Sequence, residues 1–122
     1  MQGKLLVVDD EESPRKVLRI ELLNEGYDVQ TASDGDEAIA MVDKERFDLL
    51  ILDVKMPRVN GFEVLRYSKE KHPEARVIMI TSFLDLKAAV EAKKLGADDL
   101  LEKPYESAAM LAAVDRVLKG VS

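Results

Sequence analysis

The chain contains no cysteine. That absence excludes disulfides, zinc–thiolate sites and thiol chemistry, and it suits a reducing compartment. No apolar run approaches the roughly 20 residues that a membrane-spanning helix needs. The opening MQGKLLVVDDEE lacks the shape of a secretory signal, because acids follow directly on a short apolar run. No segment reads as a linker, an internal repeat or a low-complexity tract. Lysine and arginine form no basic patch, and the net charge is −6. Such a surface repels nucleic acid. The expectation is a cytoplasmic protein in direct contact with neither nucleic acid nor membrane.

What is present is enough for one packed domain. The chain has 122 residues, of which 47% are hydrophobic. That supports a core and leaves no room for two domains. Charged residues make up 34%, with acids and bases interspersed, and most read as solvated faces. Strand-like runs occur at Lys4–Val8, Tyr27–Thr31, Leu49–Leu52, Val77–Ile80 and around Leu100–Leu101. Longer stretches with helical spacing lie between them.

Ser13-Pro14 reads as an N-cap followed by proline at the first helical position, with Leu18 and Leu22 sharing a face. The second helix starts near Ser33-Asp34 and turns Ala38, Ile39 and Val42 inward. The third starts near Asn60-Gly61 and stops by His72-Pro73, since a residue before proline avoids the helical region. The fourth runs from about Leu84 to Leu95, with Ser82 a candidate cap. The fifth runs from about Glu106 to Leu118 and buries Leu111, Val114 and Leu118. Five strands alternating with five helices predict an α/β fold, a doubly wound parallel sheet of flavodoxin-like type. In such sheets the site lies beyond the carboxyl ends of the strands.

Those ends carry chemistry. Asp9, Asp10, Glu11 and Glu12 follow the first strand. Asp53 follows the third, Thr81 and Ser82 the fourth, and Glu102, Lys103 and Pro104 the fifth. In the strand order 2-1-3-4-5 the first and third strands are neighbours, so Asp9, Asp10 and Asp53 converge. Three carboxylates in one cleft repel. A hard divalent cation relieves that, and Mg²⁺ (or Mn²⁺) suits a site of one or two direct carboxylates. An ammonium from Lys103 does the same. With Thr81 supplying a hydroxyl, the set is suited to a phosphoryl group. Asp53 then reads as a nucleophile that forms an aspartyl phosphate. Taken singly the residues have plainer readings. Asp9-Asp10 suits a helix N-terminus, Asp53 a loop cap, and Lys103 a surface charge. His72 reads as a surface residue with no catalytic partner nearby in sequence, and Tyr105 as a recognition surface in preference to packing on the sheet edge.

Over essentially its whole length the chain resembles the receiver domains of bacterial two-component response regulators. The stretches that carry the resemblance are LLVVDDEE, LLILDVKMPRVNG, IMITS and LLEKPY, in order and at the expected strand ends. DLKAAVEAKKLGADDLLEKPY looks most like receivers of the NtrC-like class. The resemblance implies that Asp53 is the phosphoacceptor, that Asp10 binds Mg²⁺ directly, and that Asp9 reaches it through water. It makes Lys55 the residue whose backbone carbonyl completes the metal shell, and Thr81 and Lys103 the switch hydroxyl and the lysine. Pro57 and Gly61 match the loop after the phosphoacceptor, and Pro104 matches a proline whose bond to the lysine is commonly cis.

The implied partners are a sensor histidine kinase or phosphotransfer protein as donor, and an output domain or effector protein, with homodimerisation on phosphorylation an option. The implied activity is that of a regulator catalysing its own phosphotransfer and autodephosphorylation. Residues 1–122 are expected to form one receiver domain, with no output domain in the chain.

Two positions depart from the common pattern. Leu100 stands where the family often has an aromatic side chain that swings inward, so activation is expected to rest on the segment after Thr81. Lys55 and Phe83 flank the phosphoryl position, and bulky Phe83 is expected to restrict attacking water. Other functions fit less well. A haloacid-dehalogenase-like phosphatase would need a second aspartate where Lys55 stands. A flavodoxin-like cofactor module would need a glycine- and hydroxyl-rich phosphate loop where Asp-Asp-Glu-Glu stands. A degenerate receiver acting only as an interaction module is disfavoured, because every key residue is present.

Overall fold

The computed structural model describes residues 3–120. Residues 1–2 and 121–122, to which the reading of the two chain ends extends, lie outside the described residues. The strands are β1 (Lys4–Val8), β2 (Asp28–Ala32), β3 (Leu49–Asp53), β4 (Arg76–Thr81) and β5 (Asp99–Glu102). They alternate with helices α1 (Glu12–Asn24), α2 (Gly35–Lys44), α3 (Gly61–Lys71), α4 (Leu86–Lys94) and α5 (Ser107–Leu118). All strand pairs are parallel, in the order β2-β1-β3-β4-β5. This is the doubly wound architecture that the alternation predicts.

The sheet is covered on both faces, which is why its central strands are apolar throughout. Leu6, Val8, Leu50, Leu52, Val77 and Met79 face one way, onto Ala38 and Val42 of α2, Val64 and Leu65 of α3 and Ala92 of α4. Leu5, Val7, Leu49, Ile51, Ile78 and Ile80 face the other way, onto Leu18 and Leu22 of α1 and Met110, Ala113, Val114 and Val117 of α5. Every residue of β3 is buried, Asp53 included. Each fully buried leucine or isoleucine there contributes about 1.5–3 kcal/mol. That anchorage holds the carboxylate at the strand end in one place.

Several helix boundaries differ from the sequence expectation. α1 begins one residue before Ser13, with Glu11 at the N-cap making no side-chain cap. The turn is closed instead by Asp9, whose Oδ1 accepts the Glu11 N–H at 2.9 Å. Proline is still tolerated in this first turn, where backbone N–H groups have no intrahelical acceptor. α4 starts at Leu86, because Asp85 rather than Ser82 accepts the Ala88 N–H at 2.8 Å. On α5 the fully buried stripe is Met110, Ala113, Val114 and Val117, while Leu111 and Leu118 are only partly buried. α3 behaves as expected. Asn60 caps it and forms a reciprocal capping box with Glu63.

Two glycines are needed for close approach. A Cβ on Gly61 would lie 2.2 Å from the Asp53 carbonyl oxygen. A Cβ on Gly35 would lie 2.4 Å from the Val59 carbonyl oxygen. Both contacts press the β3–α3 loop onto its neighbours. Val54 also donates to the Ile80 carbonyl, and Gly61 to the Val54 carbonyl. Arg58, at φ 63°, pairs with Asp34 and Asp36.

Candidate functional site

The carboxyl ends of β1, β3, β4 and β5 bring most of the expected residues together. Asp9 and Asp53 are buried, and Asp10 is exposed at the rim. One carboxylate oxygen from each of the three lies within 4.8 Å of the others. The Lys103 Nζ donates to Asp9 Oδ2 at 3.0 Å and to Asp53 Oδ2 at 3.4 Å. Glu11, at 3.9 Å from the same ammonium, adds a weaker contact. The other Asp53 oxygen, Oδ1, is buried with no hydrogen-bond partner. An unpaired oxygen on a buried carboxylate is costly unless something binds it. The acidic set is all hard oxygen donors, so these residues fit a divalent cation.

The electrostatics follow from burial and crowding. Burial pushes the Asp53 carboxyl up to about 6, and the neighbouring Asp9 charge adds to the rise. The Lys103 ammonium and the Lys55 backbone N–H act against it. Burial works to lower the Lys103 value, yet the hydrogen bond to Asp9 and the charges of Asp53 and Asp9 outweigh it and hold the group above its ordinary range.

Thr81 is buried at the end of β4. The residue before it, Ile80, pairs with Asp53, so Thr81 stands one residue further along the adjacent strand. Its hydroxyl is turned to the β4–α4 loop. It donates to the Phe83 carbonyl at 3.1 Å and accepts from the Phe83 N–H at 3.2 Å. Phe83 is 72% exposed and lines a cleft of about 400 Å³ with Val54, Lys55, Met56, Asn60, Phe62, Thr81 and Ser82. Lys55 and Pro57 are exposed on the loop after Asp53. The Lys103–Pro104 peptide is cis. Leu100 is partly buried against the core that α2, α3 and α4 cover.

One expectation needs correction, and one residue has a partner that lies far from it in the chain. His72 sits at the surface, as expected, but it is paired. Its Nε2 lies 2.8 Å from Asp43 Oδ1, and Tyr67 donates to the other Asp43 oxygen at 2.7 Å. The end of α3 faces α2, which brings together groups far apart in the chain. Tyr105 packs more than it displays. It is partly buried against the α1/α5 core and lines a hollow with Pro14, Val17, Leu18 and Pro104. Sequence reasoning also missed Arg15, whose guanidinium donates to the Asp9 carbonyl at 2.8 Å. It assigned no role to Glu102, which accepts the Leu84 N–H at 3.1 Å. Arg15 lies outside the stretches that carry the resemblance, and Glu102 lies within LLEKPY beside the more conspicuous Lys103, so only three-dimensional contact reveals what they do.

Comparison with known proteins identifies the family. The family profile described as the response regulator receiver domain matches residues 5–115. The alkaline phosphatase synthesis transcriptional regulatory protein PhoP of Bacillus subtilis is 39% identical over 98% of this chain and 50% of its own length. The response regulator MprA of Mycobacterium leprae is 37% identical over 95% of this chain and 51% of its own. The chain thus spans about half the length of these relatives. Among solved structures, the chemotaxis protein CheY4 of Vibrio cholerae superposes with a TM-score of 0.89 at 36% identity, covering 94% of this chain and 98% of that one. NtrX of Brucella abortus superposes at 0.91 with 34% identity, covering 98% of this chain and 28% of that one. The chain belongs to the receiver domains of two-component response regulators, a family of phosphorylation-activated signalling switches.

Proposed function

We propose that Asp53 is the phosphoacceptor, taking a phosphoryl group from the phosphohistidine of a sensor histidine kinase or phosphotransfer protein. The observation that carries this is the buried, unpartnered Oδ1 of Asp53, on a carboxylate whose other oxygen is held by Lys103. A carboxyl at about 6 is roughly nine-tenths ionised at neutral pH, so it is available as a nucleophile. One carboxylate oxygen bonds to phosphorus as the phosphorus–nitrogen bond of the donor breaks, and the electron pair leaves with the imidazole.

Asp9, Asp10 and Asp53 would hold Mg²⁺, with the Lys55 backbone carbonyl as a further ligand. The metal supplies charge neutralisation for the phosphoryl oxygens. Lys103, just beyond the end of β5, supplies a second positive charge. The Thr81 hydroxyl, released from Phe83, would donate to a phosphoryl oxygen on Asp53. That change frees the Phe83 backbone and shifts the β4–α4 loop, altering the α4-β5-α5 surface. The altered surface regulates an output domain or effector protein, or a second copy of the chain. With Leu100 in place of an aromatic residue, the loop after Thr81 carries the change. The chemistry is that of a cytoplasmic regulator that catalyses its own phosphorylation and dephosphorylation. Among the described residues no helix is long and apolar enough to cross a membrane.

The test is intact mass after incubation with acetyl phosphate, with and without Mg²⁺. One added phosphoryl group that requires both Mg²⁺ and Asp53 is expected, and Asp53→Asn should give none. No adduct, together with no beryllofluoride binding by NMR, would leave a receiver-shaped interaction module instead.

A further inference from the structure

Thr81 and Glu102 are register partners at the ends of β4 and β5. Their side chains hold two consecutive amides of the β4–α4 loop. Thr81 Oγ1 accepts from the Phe83 N–H, and Glu102 Oε2 accepts from the Leu84 N–H. The strand ends are tied as well, since the Lys103 N–H donates to the Thr81 carbonyl at 2.7 Å. The loop residues so held are exposed, with Phe83 at 72% and Leu84 at 39%. Little apolar burial fixes this loop, so hydrogen bonds carry a large share of its positioning.

We propose that Glu102 is a latch that holds the β4–α4 loop in the unphosphorylated arrangement and thereby sets how readily the domain switches. The inference rests on the reading of Asp53 as phosphoacceptor and of Thr81 as the group drawn toward it. When the Thr81 hydroxyl leaves Phe83, one of the two amide contacts is lost. The Glu102 carboxylate keeps the other, and the loop moves only when that bond also breaks. The bond has a charged acceptor and a neutral donor, so it is stronger than a neutral pair. A two-state element biased by such a bond shifts only as far as the difference between its states allows. Glu102 is exposed at the strand end and is not part of the core, so its replacement leaves the fold intact.

The experiment compares the wild type with Glu102→Ala and Glu102→Gln. Amide exchange at Leu84 is followed by NMR without phosphoryl analogue. Beryllofluoride with Mg²⁺ is then titrated. Glu102→Ala should speed Leu84 exchange and tighten beryllofluoride binding about fivefold, the effect of losing one partly exposed hydrogen bond from the resting state. Glu102→Gln keeps an acceptor oxygen but loses its charge, so it should fall between the wild type and Glu102→Ala in both. Equal effects of the two variants would show that the lost charge beside Lys103 is responsible, and would overturn the latch. Unchanged Leu84 exchange, or faster exchange with unchanged binding, would overturn it too. A wild type that binds no beryllofluoride would overturn the phosphoacceptor reading, and the latch with it. A wild type that binds while Glu102→Ala binds equally well removes the latch alone.

Discussion

Replacing Asp53 with asparagine should stabilise the domain, and only above the pH at which the carboxylate ionises. Asp53 is 4% exposed and sits beside buried Asp9. Its carboxyl is raised from an ordinary 3.8 to about 6, first by burial and then by the Asp9 charge. The folded state therefore holds a proton that the unfolded chain has lost, throughout the interval between those two values. Stability falls as pH rises through that interval, and the loss is complete above about 6. At 1.36 kcal/mol per pH unit the gap corresponds to about 3 kcal/mol. Water reaching the site past exposed Asp10 screens part of the repulsion, so about 1–3 kcal/mol is expected.

Other carboxylates titrate over the same range, so the quantity to follow is the difference between Asp53→Asn and wild type. Urea denaturation in chelator, at steps from about pH 4 to pH 7.5, should show that difference near zero at the acid end. It should grow to its full value by neutrality. Millimolar Mg²⁺ should shrink it by stabilising the wild type alone. A difference that stays flat across the range, or that is already present at pH 4, would refute the reasoning. It would mean that burial and the neighbouring Asp9 charge do not raise the Asp53 carboxyl in the folded state.

Two further substitutions probe the frame around the site. Gly61→Ala places a Cβ 2.2 Å from the Asp53 carbonyl oxygen, with no flexible side chain there to yield. The loop must move, at a cost of about 3 kcal/mol or more, visible as a lower urea midpoint with an unchanged m-value. Phe83→Ala removes an exposed side chain at the mouth of the cleft. Stability should change by less than about 0.5 kcal/mol, while the phosphorylated protein should lose its phosphoryl group several-fold faster by intact mass. An unchanged lifetime would show that Phe83 does not restrict the attacking water.

The architecture was legible because its signals are local. Four apolar residues from Leu49 to Leu52 mark a strand buried on both faces. Asn60-Gly61 marks a helix start, and the alternation of strands and helices dictates a parallel sheet. Given that sheet, the chain order places Asp9, Asp10, Asp53, Thr81 and Lys103 at one edge. What sequence could not supply is orientation. It named Thr81 as a hydroxyl but not its present attachment to Phe83, which depends on the course of an exposed loop. It credited Ser13 with opening α1, although Asp9 closes that turn. It saw no partner near His72 in the chain, and the distant Asp43 is brought to it, with Tyr67 on the same carboxylate, only by the packing of α2 against α3. Glu102 passed as one acid among many until the pairing of β4 with β5 set it beside Thr81. Periodicity reports which face of an element is buried, and a contact across elements depends on how those faces pack. The convergence of Asp53, Lys103 and the acid cluster could thus be read from residue order. The hydrogen bonds that hold the β4–α4 loop were decided only when the chain closed on itself.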